Sequence, residues 1–288
     1  EQEGEQHPLL KMLLAKIPGK KFFPDSYEGL AAETSEKDIL QARATYYGLM
    51  TEIDHHLGRV ISYLKKSGQY ESTLIVFTSD HGEQLGDHYL FGKAGYFDAS
   101  YAIPLIIHNP EITDSTSGKS SAAGNQVEVF TEAIDVMPTI LDWLDLEIPQ
   151  ELDGRSLLPL LKGNVPDNWR KEAHWEFDFR EIGTYQPMIE QQFGLSPDQC
   201  SLTVIRDERY KYVHMTALPP LLFDLQEDPE EFINRAEDPD YRHLVLEYSQ
   251  KMLSWSMLHR DRTLVNINLE SGKLIHWKGQ RILTKPEA

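Results

Sequence analysis

Apolar positions spaced by three, four and seven run from Ile39 through Tyr46, Met50, Ile53, Leu57, Val60 and Ile61 to Leu64. That period predicts one long amphipathic helix. Ser35-Glu-Lys-Asp38 supplies a capping signal ahead of it, and Gly68 a stop behind it. The pattern then changes. Leu74 to Phe77 is apolar, β-branched and too short for a helix, so it predicts a buried strand, and Ile103-Pro-Leu-Ile-Ile107 predicts the next. Residues 1–34, broken by Pro8, Pro18, Gly19 and Pro24, predict loop with one short helix near Leu9–Ala15.

Further along, residues 109–125 are rich in Ser, Gly and Asn and predict a surface loop. Gln126–Phe130 alternates like a strand. Asp135 is placed to cap a helix from Val136 to about Asp145, with Pro138 in its first turn and Met137, Ile140, Leu141 and Leu144 packed. After Pro166 the segments shorten. Glu172–Phe177, Ser201–Asp207, Tyr210–Met215 and Leu221–Leu225 predict a small antiparallel sheet. Tyr241 to about Arg260 predicts an amphipathic helix on that sheet, and Thr263–Leu283 a hairpin tail. The expected division is residues 1–165, 166–262 and 263–288. With Trp277 and few core partners left to it, the tail suits either a contact between copies of the chain or a hairpin on its own subunit.

Composition narrows the class. At 288 residues the chain can bury a sizeable core, and 40% hydrophobic with 26% charged residues is ordinary for a globular protein. With 28 basic against 46 acidic residues the net charge is −18 and no basic run appears, which argues against nucleic acid and anionic membranes. The same charge repels anionic substrates, so a site that cleaves them needs local cations. A single cysteine, Cys200, excludes an internal disulfide and a Cys-rich zinc site. No apolar run approaches the ~20 residues of a membrane span, and no signal peptide is visible. The chain starts at Glu1 without a methionine, so compartment stays open, with the cytoplasm as the default.

The first predicted strand ends in Asp80-His81-Gly82, followed by Gly86-Asp87-His88 and Lys93. Ligands in α/β sheets bind beyond the carboxyl ends of strands. Asp80 offers a hard carboxylate and His81 a borderline imidazole, a pair able to hold a divalent cation. Gly82 and Gly86 allow sharp bends. Lys93 lies twelve residues past His81, far enough for the loop to fold back. Alone, Asp-His-Gly is a turn tripeptide. His55 and His56, adjacent on a helix, do not share a face and are expected to be solvated or packed.

The whole frame, strand, Asp-His-Gly, Gly-Asp-His, Lys, Gly95-Tyr-Phe-Asp98 and Ile-Pro-Leu-Ile-Ile, resembles the sulfatase family of the alkaline phosphatase superfamily. The stretch from Ser79 to Ile107 is most similar to its phosphonate monoester hydrolase and phosphodiesterase branch. Other segments resemble the family in the same order: the Tyr46-Tyr-Gly-Leu-Met-Thr-Glu-Ile-Asp54 helix, Asp135-Val-Met-Pro-Thr, Asp153-Gly-Arg-Ser-Leu157, and Arg209-Tyr-Lys-Tyr with Leu222-Phe-Asp-Leu. Arg155 is a candidate anion contact, with a structural turn as the simpler role, and Tyr210 and Lys211 are expected to be packing and surface residues.

The resemblance implies an α/β fold, the C-terminal part of an alkaline-phosphatase-like α/β/α sandwich with a small antiparallel C-terminal sheet subdomain. It implies one divalent metal ion (Mn, Ca, Mg, Fe or Zn) on Asp80 and His81, with Lys93 as catalytic and substrate-binding cation. Family members attack with a formylglycine made from Cys, or a Ser, in Cys/Ser-x-Pro-x-Arg at a helix N-terminus, where N–H groups favour the anion. No such motif occurs here, and no Asp-Asp-x-Arg segment either. The 288 residues thus match the C-terminal half of a family member. The intact protein is expected to hydrolyse small anionic esters (sulfate esters, phosphonate monoesters or phosphodiesters), while this chain alone is expected to be inactive. The alternatives are a non-catalytic binding or assembly domain on the same fold, and a phosphomutase or phosphotransferase of the superfamily.

Overall fold

In the computed structural model, residues 7–16, 33–93, 95–112, 124–149, 151–180, 188–259, 267–270 and 273–276 are described. The first helix, α1 (Pro8–Lys16), buries Leu9, Leu10 and Met12. The long predicted helix is α2 (Glu36–Lys66). Ser35 Oγ accepts from Asp38 N–H at its start, and Gly68 at φ 73° follows its end, so both signals act as their chemistry requires.

Its predicted apolar face is only partly covered. Ile39, Tyr46, Leu57, Ile61 and Leu64 are half-buried, Met50, Ile53 and Val60 are exposed, and no residue of α2 is buried. The helix is about 46 Å long. Strands β1 (Ile75–Thr78) and, later, β2 (Leu105–His108) span about 13 Å each and cannot cover it. Those strands pair antiparallel, with Ile75 opposite His108 and Thr78 opposite Leu105. The expectation that both are buried fails: β1 is half-buried and Ile106 of β2 is 64% exposed. His55 and His56 are exposed on α2, as expected of solvated histidines.

Between the strands lies a folded loop that ends in α3 (Asp98–Tyr101). Gln126–Phe130 forms no strand, since it pairs with no other strand among the described residues. It is held instead by Trp169 Nε1, which donates to the Phe130 carbonyl at 2.8 Å. A helical turn at Ala133–Asp135 leads into α4 (Val136–Trp143). Asp135 does not cap α4. Its buried carboxylate accepts from Glu132 N–H, from Arg155 N–H and from the Arg170 guanidinium, tying three segments together. Met137 and Leu144 are exposed, and α4 turns Pro138 and Thr139 inward. Arg155 serves the turn, with Nη1 donating to the Asn168 carbonyl at 2.8 Å, ahead of α5 (Leu158–Leu161).

The second half follows the pattern closely. Strands β3 (Ala173–Asp178), β4 (Ser201–Arg206), β5 (Tyr210–Met215) and β6 (Leu221–Asp224) form an antiparallel sheet in chain order, with α6 (Met188–Phe193) between the first two. The last helix, α7 (Arg242–Leu258), buries Tyr248 and Met252 against Ile205, Tyr212 and Leu222. The other face of the sheet joins α1 and the loop after β1 in one core: Leu9, Leu10, Leu90, Tyr96 and Phe97 pack with Val204, Val213 and Phe223. Strands β7 (Ile267–Glu270) and β8 (Lys273–His276) pair as a hairpin, and Trp277 lies outside the described residues. No helix among the described residues is long and apolar enough to cross a membrane.

His174 on β3 stacks on Trp255 of α7, with ring centroids 4.5 Å apart, and its Nε2 has no hydrogen-bond partner among the described residues. Burial, with His259 and Arg170 nearby, lowers its pKa to about 4. The folded protein therefore keeps His174 neutral where the unfolded chain, titrating near 6.5, takes up a proton. Stability should fall as pH drops from 6.5 to 4, by at most about 1.4 kcal/mol per pH unit for this group. His174→Phe keeps the stack and has no proton to gain, so its unfolding free energy should fall less over that window. Parallel profiles from urea titrations would show that His174 is not the sensitive group.

Candidate active site

The loop from Ser79 to Asp98 is built on backbone hydrogen bonds that only certain residues permit. At its start, Gly82 N–H donates to Ser100 O at 2.8 Å, and a Cβ on Gly82 would collide with the Ala99 carbonyl. Gly82 is thus needed for close approach, whereas Gly86 is needed for its φ of 90°. Gln84 is buried, with Nε2 donating to Ser100 Oγ at 2.7 Å and N–H donating to Gly92 O at 3.1 Å. The loop does fold back: Gly92, next to Lys93, lies against residues 83 and 84, just past His81.

Asp80 and His81 sit where β1 ends. His81 Nδ1 is 2.7 Å from the Gly82 carbonyl, which only accepts, so Nδ1 carries the hydrogen and Nε2 presents its lone pair. That nitrogen stands 3.7 Å from Asp80 Oδ2. The other carboxylate oxygen, Oδ1, accepts from His81 N–H at 3.1 Å, which orients the side chain. The Asp80 side chain is 84% exposed and that of His81 34%. A carboxylate oxygen and an imidazole lone pair side by side, the imidazole fixed by its far nitrogen, suit a divalent cation. Among the described residues no group of three or more His, Cys, Asp or Glu converges on one point, so the pair by itself would make only part of a metal's shell.

Asp87 and His88 are engaged elsewhere. Asp87 pairs with Arg43 of α2 at 2.7 Å, and the His88 ring stacks on Phe97 with centroids 3.7 Å apart. Lys93 is exposed at the far end of the loop. Cys200 is buried just ahead of β4, its Sγ donating to the Ser196 carbonyl at 3.5 Å.

Beneath the loop lies a charge cluster that the expected surface position of Lys211 hides. Lys211 is fully buried, against expectation, because β5 directs it between the sheet and residues 96–98. Its Nζ donates to Tyr96 O at 3.1 Å and to Asp98 Oδ1 at 3.0 Å, and pairs with Glu231 Oε1. The other oxygen of Glu231 accepts from Asp98 N–H at 3.0 Å, and Arg206 adds a contact to Asp98 at 3.2 Å. Burial lowers the Lys211 ammonium to about 8, with Asp98 opposing the fall. Alternation along β5 puts Lys211 on the face opposite Tyr210 and Tyr212, which pack on α7, and the local pattern does not show that this second face is covered too.

Comparison with known proteins places this architecture. The sulfatase family model matches residues 17–146, and the model described as N-sulphoglucosamine sulphohydrolase, C-terminal, matches residues 86–257. The chain belongs to the sulfatase family of the alkaline phosphatase superfamily, with an alkaline-phosphatase-like fold. It is 54% identical over 264 residues to the multifunctional alkaline phosphatase superfamily protein PehA of Trinickia caryophylli, covering 92% of this chain and 49% of that one. The crystal structure of phosphonate monoester hydrolase from Agrobacterium radiobacter superposes with a TM-score of 0.84 at 45% identity, over 94% of this chain and 52% of that one. A phosphonate monoester hydrolase from Silicibacter pomeroyi gives 0.81 at 37% identity, over 96% and 53%. The chain thus spans about half the length of the relatives it matches.

Proposed function

We propose that the full-length protein is a metal-dependent hydrolase of phosphonate monoesters or phosphodiesters, with sulfate esters as the second substrate class. The observation that carries this is the loop itself: Asp80 and His81 at one end, Lys93 at the other, with residues 83 and 84, just past His81, hydrogen-bonded to Gly92, just before Lys93. Identity of 54% and 45% to relatives named for the alkaline phosphatase superfamily and for phosphonate monoester hydrolysis favours phospho-esters, while the sulphohydrolase model keeps sulfate esters in view.

Asp80 Oδ2 and His81 Nε2 would hold the cation, whose charge favours the anionic ester and the developing alkoxide or oxyanion. Lys93 places a compact ammonium at the group transferred or at its leaving oxygen. His81 keeps its Nδ1–H on Gly82 O and so takes no part in proton transfer through that nitrogen. The nucleophile, a formylglycine or Ser, is assigned to sequence outside these 288 residues. The partly covered apolar face of α2, with Tyr47, Met50, Ile53 and Val60 exposed, is assigned to packing against that same part of the protein.

Metal analysis tests the ligand assignment. Full-length protein should hold about one divalent ion per chain, and Asp80→Ala should weaken metal affinity by more than about tenfold, since even the outer-shell partners of metal ligands are worth about 10–100-fold, so its content at limiting free metal should fall. Undiminished metal in Asp80→Ala removes Asp80 from the site.

A further inference from the structure

We propose that Glu83 is a positioning residue that sets where Lys93 stands, an assignment that rests on the hydrolase function proposed above. One carboxylate oxygen, Oε1, accepts from Leu85 N–H at 3.1 Å and from Gly92 N–H at 2.6 Å. Leu85 opens the turn and Gly92 closes it, and the next residue is Lys93. A carboxylate that takes two backbone N–H groups is a strong, short clamp.

The loop needs one. Between Leu85 and Gly95 the backbone has positive φ at Leu85 (48°), Gly86 (90°), His88 (51°), Tyr89 (57°), Gly92 (78°) and Gly95 (86°). Three of these are not glycine, and L side chains resist that region, so the path must be imposed from outside the local backbone. Arg43 holds the outer turn through Leu85 O at 2.8 Å and Asp87 Oδ1 at 2.7 Å, and His88 holds it by its stack on Phe97. At the inner end, beside Lys93, the partners are Glu83 and the Gln84 N–H to Gly92 O bond. Removing the Glu83 carboxylate leaves the Gly92 N–H without this acceptor and frees the step into Lys93.

The test uses full-length protein with an aryl phosphonate monoester as the probe, or an aryl sulfate where that is the substrate turned over. Glu83→Ala should lower kcat about 10–10²-fold, the range for a residue that orients a functional group, with little change in KM and with metal content unchanged. Glu83→Gln keeps an acceptor oxygen and should restore most of the loss. Glu83→Asp, one methylene shorter, keeps the charge and should fall between the two, which covers the case of Glu83→Ala failing to fold. Adding Glu83→Ala or Glu83→Asp to Lys93→Ala should cost no more than about twofold beyond Lys93→Ala, because the two act as one unit. Normal kcat in Glu83→Ala or Glu83→Asp, beside a crippled Lys93→Ala, overturns the positioning role alone. Additive losses overturn it as well, and loss of metal makes Glu83 a ligand instead. Normal kcat in Lys93→Ala overturns the catalytic assignment of the loop, and with it this proposal.

Discussion

Replacing Lys93 by Ala in the full-length enzyme should lower kcat by roughly 10²–10³-fold and leave metal content unchanged. The reason is electrostatic. The anionic ester of the proposed function would meet 288 residues that carry −18, so attraction and transition-state stabilisation must come from local positive charge. The cation proposed for Asp80 and His81 would supply part of it. Lys93 is exposed at the other end of the same loop, next to Gly92, which is hydrogen-bonded to Glu83 and Gln84. A lysine ammonium can follow an oxygen as charge shifts, whereas a guanidinium is planar and larger, so Lys93→Arg should recover only part of the activity. An ordinary surface lysine would behave differently: its removal would cost less than about 0.5 kcal/mol and little turnover. Near-normal kcat and KM in Lys93→Ala would place Lys93 in that class.

The second large effect is on stability. Lys211→Met should destabilise the protein by about 3–5 kcal/mol, seen as a lower urea midpoint. The methionine fits the fully buried site, but it leaves Glu231 and Asp98 facing each other without the ammonium between them. Removing one partner of a buried cluster costs far more than removing the cluster, because the remaining charge is stranded. Adding Glu231→Gln to Lys211→Met should therefore recover part of the loss, and the two substitutions should be strongly non-additive. The cluster also fixes residues 96–98, at the end of the loop that carries Lys93, so Lys211→Met should lower activity beyond its loss of folded protein. A midpoint unchanged in Lys211→Met would show that Lys211 contributes no net stability.

Much of this protein follows from its sequence because the relevant signals are local. The capping Ser35, the period of α2, the four strands after residue 172 and the helix on them depend on neighbours within a few residues, and each lies within a residue or two of its predicted span. The candidate chemistry is also local: Asp80, His81 and Lys93 belong to one loop, and their residue types state what they can bind. Burial is different, since it depends on what packs against a segment. A four-residue apolar run predicts a buried strand, yet β1 and β2 form a narrow pair that leaves Ile106 and much of α2 open. Asp135 looks like a helix cap from its position, but Arg170, distant in sequence, draws it into the interior.

Lys211 shows the same limit most clearly. A lysine between two tyrosines reads as a surface residue, and only the folding of residues 96–98 and 231 onto the sheet turns it into a buried ion. The grip of Glu83 on Gly92 likewise needs the loop closed before it exists. Which side chains can do chemistry was decided by their identities along the chain. Which of them are brought together, buried or held in place was decided by contacts between residues far apart in sequence, whose energies no local window contains.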